Sequence, residues 1–149
     1  MKIRKAVATD AASVRELLRE LGYPSSLALT RTRLGQLTRD NSEDLLVAET
    51  ASGKIAGFIS IHYIPQIALA GDFARISYFC VAEDKRSQGI GRYLEEKASQ
   101  LARERGCNRI ELHCHSRRRE AHRFYARQGY SESPKYLVKS LQKSAARSK

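Results

Sequence analysis

Val81-Ala82-Glu83-Asp84-Lys85-Arg86-Ser87-Gln88-Gly89-Ile90-Gly91-Arg92 is the stretch on which the reading of this chain turns. It follows a β-rich run, Phe73 to Val81. After it, Ile90, Tyr93, Leu94, Lys97, Ala98 and Leu101 fall at helical spacing. A strand therefore passes through a short loop into a long helix. Gly89 and Gly91 carry no Cβ, so the backbone there can come close to a ligand. Their amides, with those of Ser87, Gln88 and Ile90, lie where the helix begins. First-turn N–H groups lack intrahelical partners, and the helix dipole adds partial positive charge, a combination that binds phosphate. Lys85, Arg86 and Arg92 add formal charge beside it. The pattern is neither GxxxxGK[ST] nor GxGxxG, the two commoner nucleotide loops. A bare G-x-G is also compatible with an ordinary turn, but its place between strand and helix favours the phosphate loop.

Working outward from the loop, Ile3 to Val7 reads as a first strand. Thr9 or Asp10 can cap a helix with Val14, Leu17, Leu18 and Leu21 on one face, ended by Gly22-Tyr23-Pro24. A second helix is expected from Ser26 to Thr38. Leu45 to Glu49 and Lys54 to Tyr63 form a hairpin around Ala51-Ser52-Gly53. Beyond the long helix, which Gly106 closes, Arg109 to His115 alternates like a strand. Arg118 to Gln128 is a helix ended by Gly129, and Tyr136 to Leu141 is a last strand. The order β-α-α-β-β-β-α-β-α-β predicts an α/β (α+β) domain, with a mixed, mostly antiparallel sheet flanked by helices. One domain is expected over residues 1–141, with 142–149 a flexible basic tail.

The chain has 149 residues, 42% of them hydrophobic and 29% charged, enough for a folded core. Its three cysteines, Cys80, Cys107 and Cys114, show no CxxC spacing, which argues against a disulfide framework and a structural zinc site. No apolar run reaches the roughly 18–20 residues of a membrane span. No secretory signal is visible, so a reduced, cytoplasmic setting and no membrane partner are expected. The net charge of +11 is unevenly placed. Residues 1–84 hold ten Lys/Arg and ten Asp/Glu, whereas residues 85–149 hold seventeen and six. The basic half begins at the phosphate loop, which suggests an anionic partner. Nucleic acid fits less well, because no aromatic residues interleave the basic ones and no helix-turn-helix or zinc-finger pattern is present.

Arg86-Ser87-Gln88-Gly89-Ile90-Gly91 matches [RQ]-x-x-G-x-[GA] at a strand-to-helix junction. Phe124-Tyr125, followed after three residues by Gly129-Tyr130, supplies a second motif at the right distance. With these two motifs the chain resembles the GCN5-related N-acetyltransferases, the GNAT family, over essentially its whole length. Its wording looks closest to small bacterial single-domain members. The resemblance implies transfer of an acetyl group from acetyl-CoA to a primary amine by direct, sequential attack, with no metal. It implies that the amides of Arg86 to Gly91 take the pyrophosphate. The strand at Phe79, Cys80 and Val81 would pair its edge with the pantetheine amides and help hold the thioester carbonyl. Tyr125 matches the tyrosine that protonates the departing thiolate. A tyrosine pKa near 10 lies close enough above a thiol's to serve.

The family's strand glutamate, often the general base, has no counterpart in Ala74 to Val81. His62 is the first candidate base, since histidine as a residue type titrates near neutrality. Glu111, His113 and a water held near Ser77 are the others. Arg118 stands where many members carry an asparagine that contacts CoA. The cluster Arg117-Arg118-Arg119 opens a helix whose dipole disfavours it, which suggests an anion such as the CoA 3′-phosphate. Cys80 and Cys114 fall in expected strands and read as buried thiols rather than acyl carriers. The acceptor side is expected to hold Tyr23, Arg31, Arg33, His62, Tyr63, Gln66, Asp72 and Phe73, with no acidic cluster to draw in a polycation. Two other functions stay open, an acetyl-CoA-binding module without catalysis and a basic nucleic-acid-binding protein. A second copy of the chain stays open as a partner.

Overall fold

Alternation in residues 43–64 builds the hairpin around which the other elements are arranged. The structure is a computed structural model, describing residues 1–114, 118–133 and 137–142. Its contacts divide the chain into two compact units, Met1–Leu112 and His113–Lys149.

In the first unit the strands are β1 (Lys2–Lys5), β2 (Glu43–Glu49), β3 (Ile55–Ile64), β4 (Phe73–Val81) and β5 (Ile110–Leu112). They lie side by side in that order. The first four are antiparallel, and β5 runs parallel to β4. The helices are α1 (Ala11–Leu21), α2 (Leu27–Thr38) and α3 (Ile90–Glu104).

Period-2 burial separates the two faces of the sheet. Leu46, Ile59, Ile61, Ala74 and Ile76 pack against Leu94, Ala98 and Ala102 of α3. Leu45, Val47, Phe58 and Cys80 pack against Val14 and Leu17 of α1 and Leu34 of α2. Ser26, expected inside the second helix, instead caps α2 by accepting from Leu29 N–H at 3.0 Å.

Asp10 works differently from expectation. It stands before α1 without a forward side-chain cap. Its carboxylate turns back, accepting from Val7 N–H at 2.8 Å and from Arg4 Nη1 and Nη2 at 2.8 and 3.0 Å. Hydrogen bonding from Arg4 is the main reason its pKa is lowered. A lowered carboxylate pKa stabilises the fold above the unfolded value of about 4, and that contribution fades as pH falls toward the folded value. Asp10→Asn should therefore cost about 2 kcal/mol at neutral pH. Urea titrations should show the gap from the parent closing below about pH 4.

In the second unit, α4 (Arg119–Arg127) forms as expected. The chain reverses at Gly129, whose N–H meets Ala126 O at 3.1 Å while Tyr130 N–H returns to Tyr125 O at 3.0 Å. These are the two bonds of a Schellman end. The expected last strand is not formed over Leu137–Leu141, and Tyr136 lies outside the described residues. Leu137, Val138 and Leu141 are 91%, 79% and 87% exposed, so among the described residues this segment lacks the neighbouring strand that a ladder requires. Arg117 and the tail residues 143–149 also lie outside the described residues.

Candidate active site

The loop expected to take a phosphate follows β4 through a 3-10 turn at Glu83–Lys85 and enters α3 at Ile90. Gly89 precedes the helix at φ +84°, and Ser87 at φ +67° is the one non-glycine residue in the left-handed region among the described residues. A left-handed serine costs about 1 kcal/mol, and such strain gathers at functional sites. The first backbone bond of α3 runs from Tyr93 N–H to Gly89 O at 3.1 Å. The amides from Gly89 to Arg92 thus have no acceptor within the helix. Ser87, Gln88 and Gly89 are exposed, whereas Ile90 is buried as an anchor.

Arg86 acts inward. Its Nε donates to Val81 O at 3.1 Å, and its N–H reaches Glu83 O at 3.5 Å. Its side chain thus fastens the loop to the end of β4. Arg92 lies over the Tyr93 ring, 5.4 Å from its centroid, with Glu96 Oε2 3.7 Å from its Nε.

The strand leading into this loop is irregular where chemistry was expected. Its parallel register with β5 runs from Ala74↔Ile110 to Ile76↔Leu112. β4 then continues through Phe79, Cys80 and Val81 against β3. Between these parts the β3 register jumps from Ile61↔Ile76 to Ser60↔Tyr78, so Ser77 is an extra residue, a β-bulge. The bulge breaks the alternation and leaves both Ser77 and Tyr78 exposed. Tyr23, just beyond α1, meets the Tyr78 ring edge-on at 5.2 Å.

His62 lies next to this bulge, with Nε2 2.5 Å from Ser77 Oγ. Its Nδ1 contacts Glu43 Oε1 on β2. Burial pushes the Glu43 carboxyl up, only partly opposed by His62. The structure thus joins His62 and Ser77, both singled out in the sequence, to Glu43, which was not. Counting β2 from Glu43 rather than Leu45 would have placed Glu43 on the same face as Leu45 and Val47.

Glu111 is otherwise engaged. Burial would raise its pKa, but Arg75 Nη2 at 2.5 Å and Arg109 Nε at 3.2 Å outweigh burial and hold it low. Tyr63 does not belong to the acceptor side. It packs with the α3 cluster, 3% exposed, and its hydroxyl donates to Asp44 Oδ2 at 2.7 Å. Cys80 is buried, its Sγ 3.4 Å from Leu17 O.

In the second unit, Tyr125 is half-buried on α4 between two rings. Phe124 lies at 5.4 Å and Tyr130 at 5.6 Å between centroids. Arg118 is exposed at the start of α4. His113 and Cys114 fall just beyond β5 in the same unit. Among the described residues, no helix is long and apolar enough to cross a membrane, and no three His, Cys, Asp or Glu side chains gather as a metal site.

A mixed sheet flanked by helices, with a bulged strand running through a loop into a long helix, is an arrangement shared with solved acetyltransferases. The chain belongs to the acetyltransferase (GNAT) family, whose model matches residues 11–130. An aminoalkylphosphonate N-acetyltransferase of Salmonella typhimurium LT2 is 36% identical over 90 residues, 60% of this chain and 58% of that protein. The chain thus spans a little over half the length of that relative. A transcriptional regulator from Bacillus halodurans C-125 is similar in structure, with TM-score 0.84 and 28% identity over 94% of this chain and 99% of that one. Glucosamine-6-phosphate N-acetyltransferase of Arabidopsis thaliana shares the fold, with TM-score 0.83 and 23% identity over 95% and 98%.

Proposed function

We propose that this protein is an N-acetyltransferase that moves the acetyl group of acetyl-CoA directly to a primary amine. Acetyl-CoA, the co-substrate the family uses, supplies an acetyl group activated as a thioester. The observation that carries the proposal is the start of α3. There a glycine at φ +84° and a strained Ser87 present exposed backbone at a helix N-terminus, which suits a pyrophosphate. In this reading the amides of Ser87 to Gly91 hold the pyrophosphate, and Arg86 secures the loop from behind. Arg92 and Arg118 add positive charge for the nucleotide phosphates. Phe79, Cys80 and Val81 run along the pantetheine, in keeping with β5 parting from β4 at Ile76.

His62 takes the proton that the acceptor ammonium must lose before it can attack. Tyr125 gives a proton to the leaving thiolate. Binding both substrates side by side supplies much of the rate. The family match at residues 11–130 crosses from the first unit into the second, which supports one functional domain over residues 1–141. The Salmonella relative is named for an amine bearing a phosphonate.

Isothermal titration should show acetyl-CoA binding with a Kd below the millimolar range. No heat at millimolar ligand would end this reading. A screen of aminoalkylphosphonates, amino acids, peptides, polyamines and aminoglycosides should then reveal thiol release with at least one amine. Binding without turnover on every amine would make the protein a non-catalytic acetyl-CoA module instead.

A further inference from the structure

Glu43, His62, Arg75 and Glu111 stand in one line across four neighbouring strands, each the register partner of the next. The two carboxylates of this line are used differently. Glu111 is held by two arginines. Glu43 lies at the other end, its side chain 15% exposed, and its Oε1 faces His62 Nδ1. Among the described residues no other donor reaches that oxygen. A carboxylate at Nδ1 keeps the proton on that nitrogen and leaves the lone pair on Nε2. Nε2 is the atom beside Ser77 Oγ. Ser77 is exposed because the bulge turns it outward, while the His62 side chain is 27% exposed. The chain of contacts therefore runs from a shielded carboxylate to a hydroxyl at the surface, and a ligand arriving on this face meets the hydroxyl first.

We propose that Ser77, His62 and Glu43 form a proton relay in which Ser77 Oγ touches the acceptor amine, His62 Nε2 stores the proton and Glu43 positions the imidazole. The proposal rests on the acetyl-transfer reading above. In the relay step an N–H bond of the acceptor ammonium breaks and its proton passes to Ser77 Oγ. The hydroxyl's own proton moves to His62 Nε2 in the same step. The amine is left neutral with a free electron pair, Ser77 is unchanged, and His62 becomes an imidazolium facing the Glu43 carboxylate. The imidazolium returns its proton to water after transfer. Ser77 is then a catalytic residue, His62 the base behind it, and Glu43 a positioning residue.

The test combines nitrogen NMR of the full chain, labelled at histidine, with steady-state kinetics. Loss of a signal in His62→Gln assigns that ring. The parent should show the tautomer with Nδ1–H and an unprotonated Nε2. Glu43→Leu should mix the two tautomers and lower kcat about tenfold with KM for acetyl-CoA unchanged. Glu43→Gln keeps a carbonyl oxygen, so it should restore the single tautomer and part of the rate. Ser77→Ala should keep the tautomer yet lose about tenfold in kcat, and Ser77→Thr should recover much of it.

A parental kcat in Ser77→Ala, or the Nε2–H tautomer in the parent, would overturn the relay. So would a stable acetyl group on Ser77, seen by intact mass after exposure to acetyl-CoA without amine, since the serine would then be a nucleophile. If the parent acetylated no amine at all, the acetyl-transfer reading itself would fall. The tautomer spectra would still report separately on the Glu43–His62 link.

Discussion

A Tyr125→Phe enzyme should bind acetyl-CoA with the parental Kd and turn over about 10²–10³-fold more slowly, the usual loss when a general acid is removed. The substitution deletes one oxygen and keeps the ring. The ring meets Phe124 at 72° and Tyr130 at 65°, both edge-to-face arrangements that phenylalanine reproduces. The backbone bond from Tyr130 N–H to Tyr125 O is indifferent to the side chain. A thermal midpoint recorded beside the kinetics separates a loss of rate at the hydroxyl from a loss of stability. Changing the acceptor cannot mask the effect, because acetyl-CoA releases the same thiolate whichever amine attacks it. Tyr130→Phe, which also removes one hydroxyl from this ring cluster, should keep most of the turnover. Equal turnover in parent and Tyr125→Phe would remove Tyr125 from the mechanism.

The sequence announces what is local and periodic. Gly89 and Gly91 after a strand, the leucine spacing of α1 and the Phe73–Val81 run each declare themselves within a dozen residues, and each stands within a residue or two of its expected place. The bulge does not announce itself. Ile76, Ser77 and Tyr78 read as ordinary alternation until the β3 register shows that Ser77 has no opposite number. Glu43 was hidden for a related reason. It sits where β2 emerges from the Asp40-Asn41-Ser42 loop, and polar residues at a strand start look like loop until a partner strand claims them.

Tyr63 shows the opposite failure. Its neighbour His62 does face the open side, but the period of two sends Tyr63 to the α3 face, where Asp44 accepts its hydroxyl proton. The missing strand over Leu137–Leu141 fails for the same physical cause. A strand is a relation between two segments, and its residues alone cannot specify the second.

Gly57→Val should destabilise the first unit by about 3 kcal/mol and should weaken acetyl-CoA binding as well. Gly57 lies opposite Val81 at the end of β4. A Cβ there would sit 2.9 Å from Cys80 O and 3.2 Å from Leu94 Cδ1. The first is backbone and cannot rotate aside. The second belongs to a leucine fully buried in the first turns of α3. Extra atoms at residue 57 thus act as a wedge between the β4 end and the helix that carries the amides of Gly89 to Arg92. Relief requires one of the two to move, and either motion misaligns the loop with the strand edge it must serve.

Gly35→Ala is the control for side-chain bulk alone. Residue 35 lies inside α2, and the nearest atoms to a Cβ added there belong to the exposed, flexible Arg39 guanidinium, from 3.4 Å. It should stabilise by about 0.5–1 kcal/mol, because alanine loses less backbone freedom on entering a helix. Chemical denaturation should therefore give opposite signs for the two glycines, and titration calorimetry should show a raised acetyl-CoA Kd for Gly57→Val only. If the Gly57 variant unfolds at a lower denaturant concentration but binds acetyl-CoA as tightly as the parent, the wedge spares the loop. Residue 57 would then matter to the core and not to the cofactor.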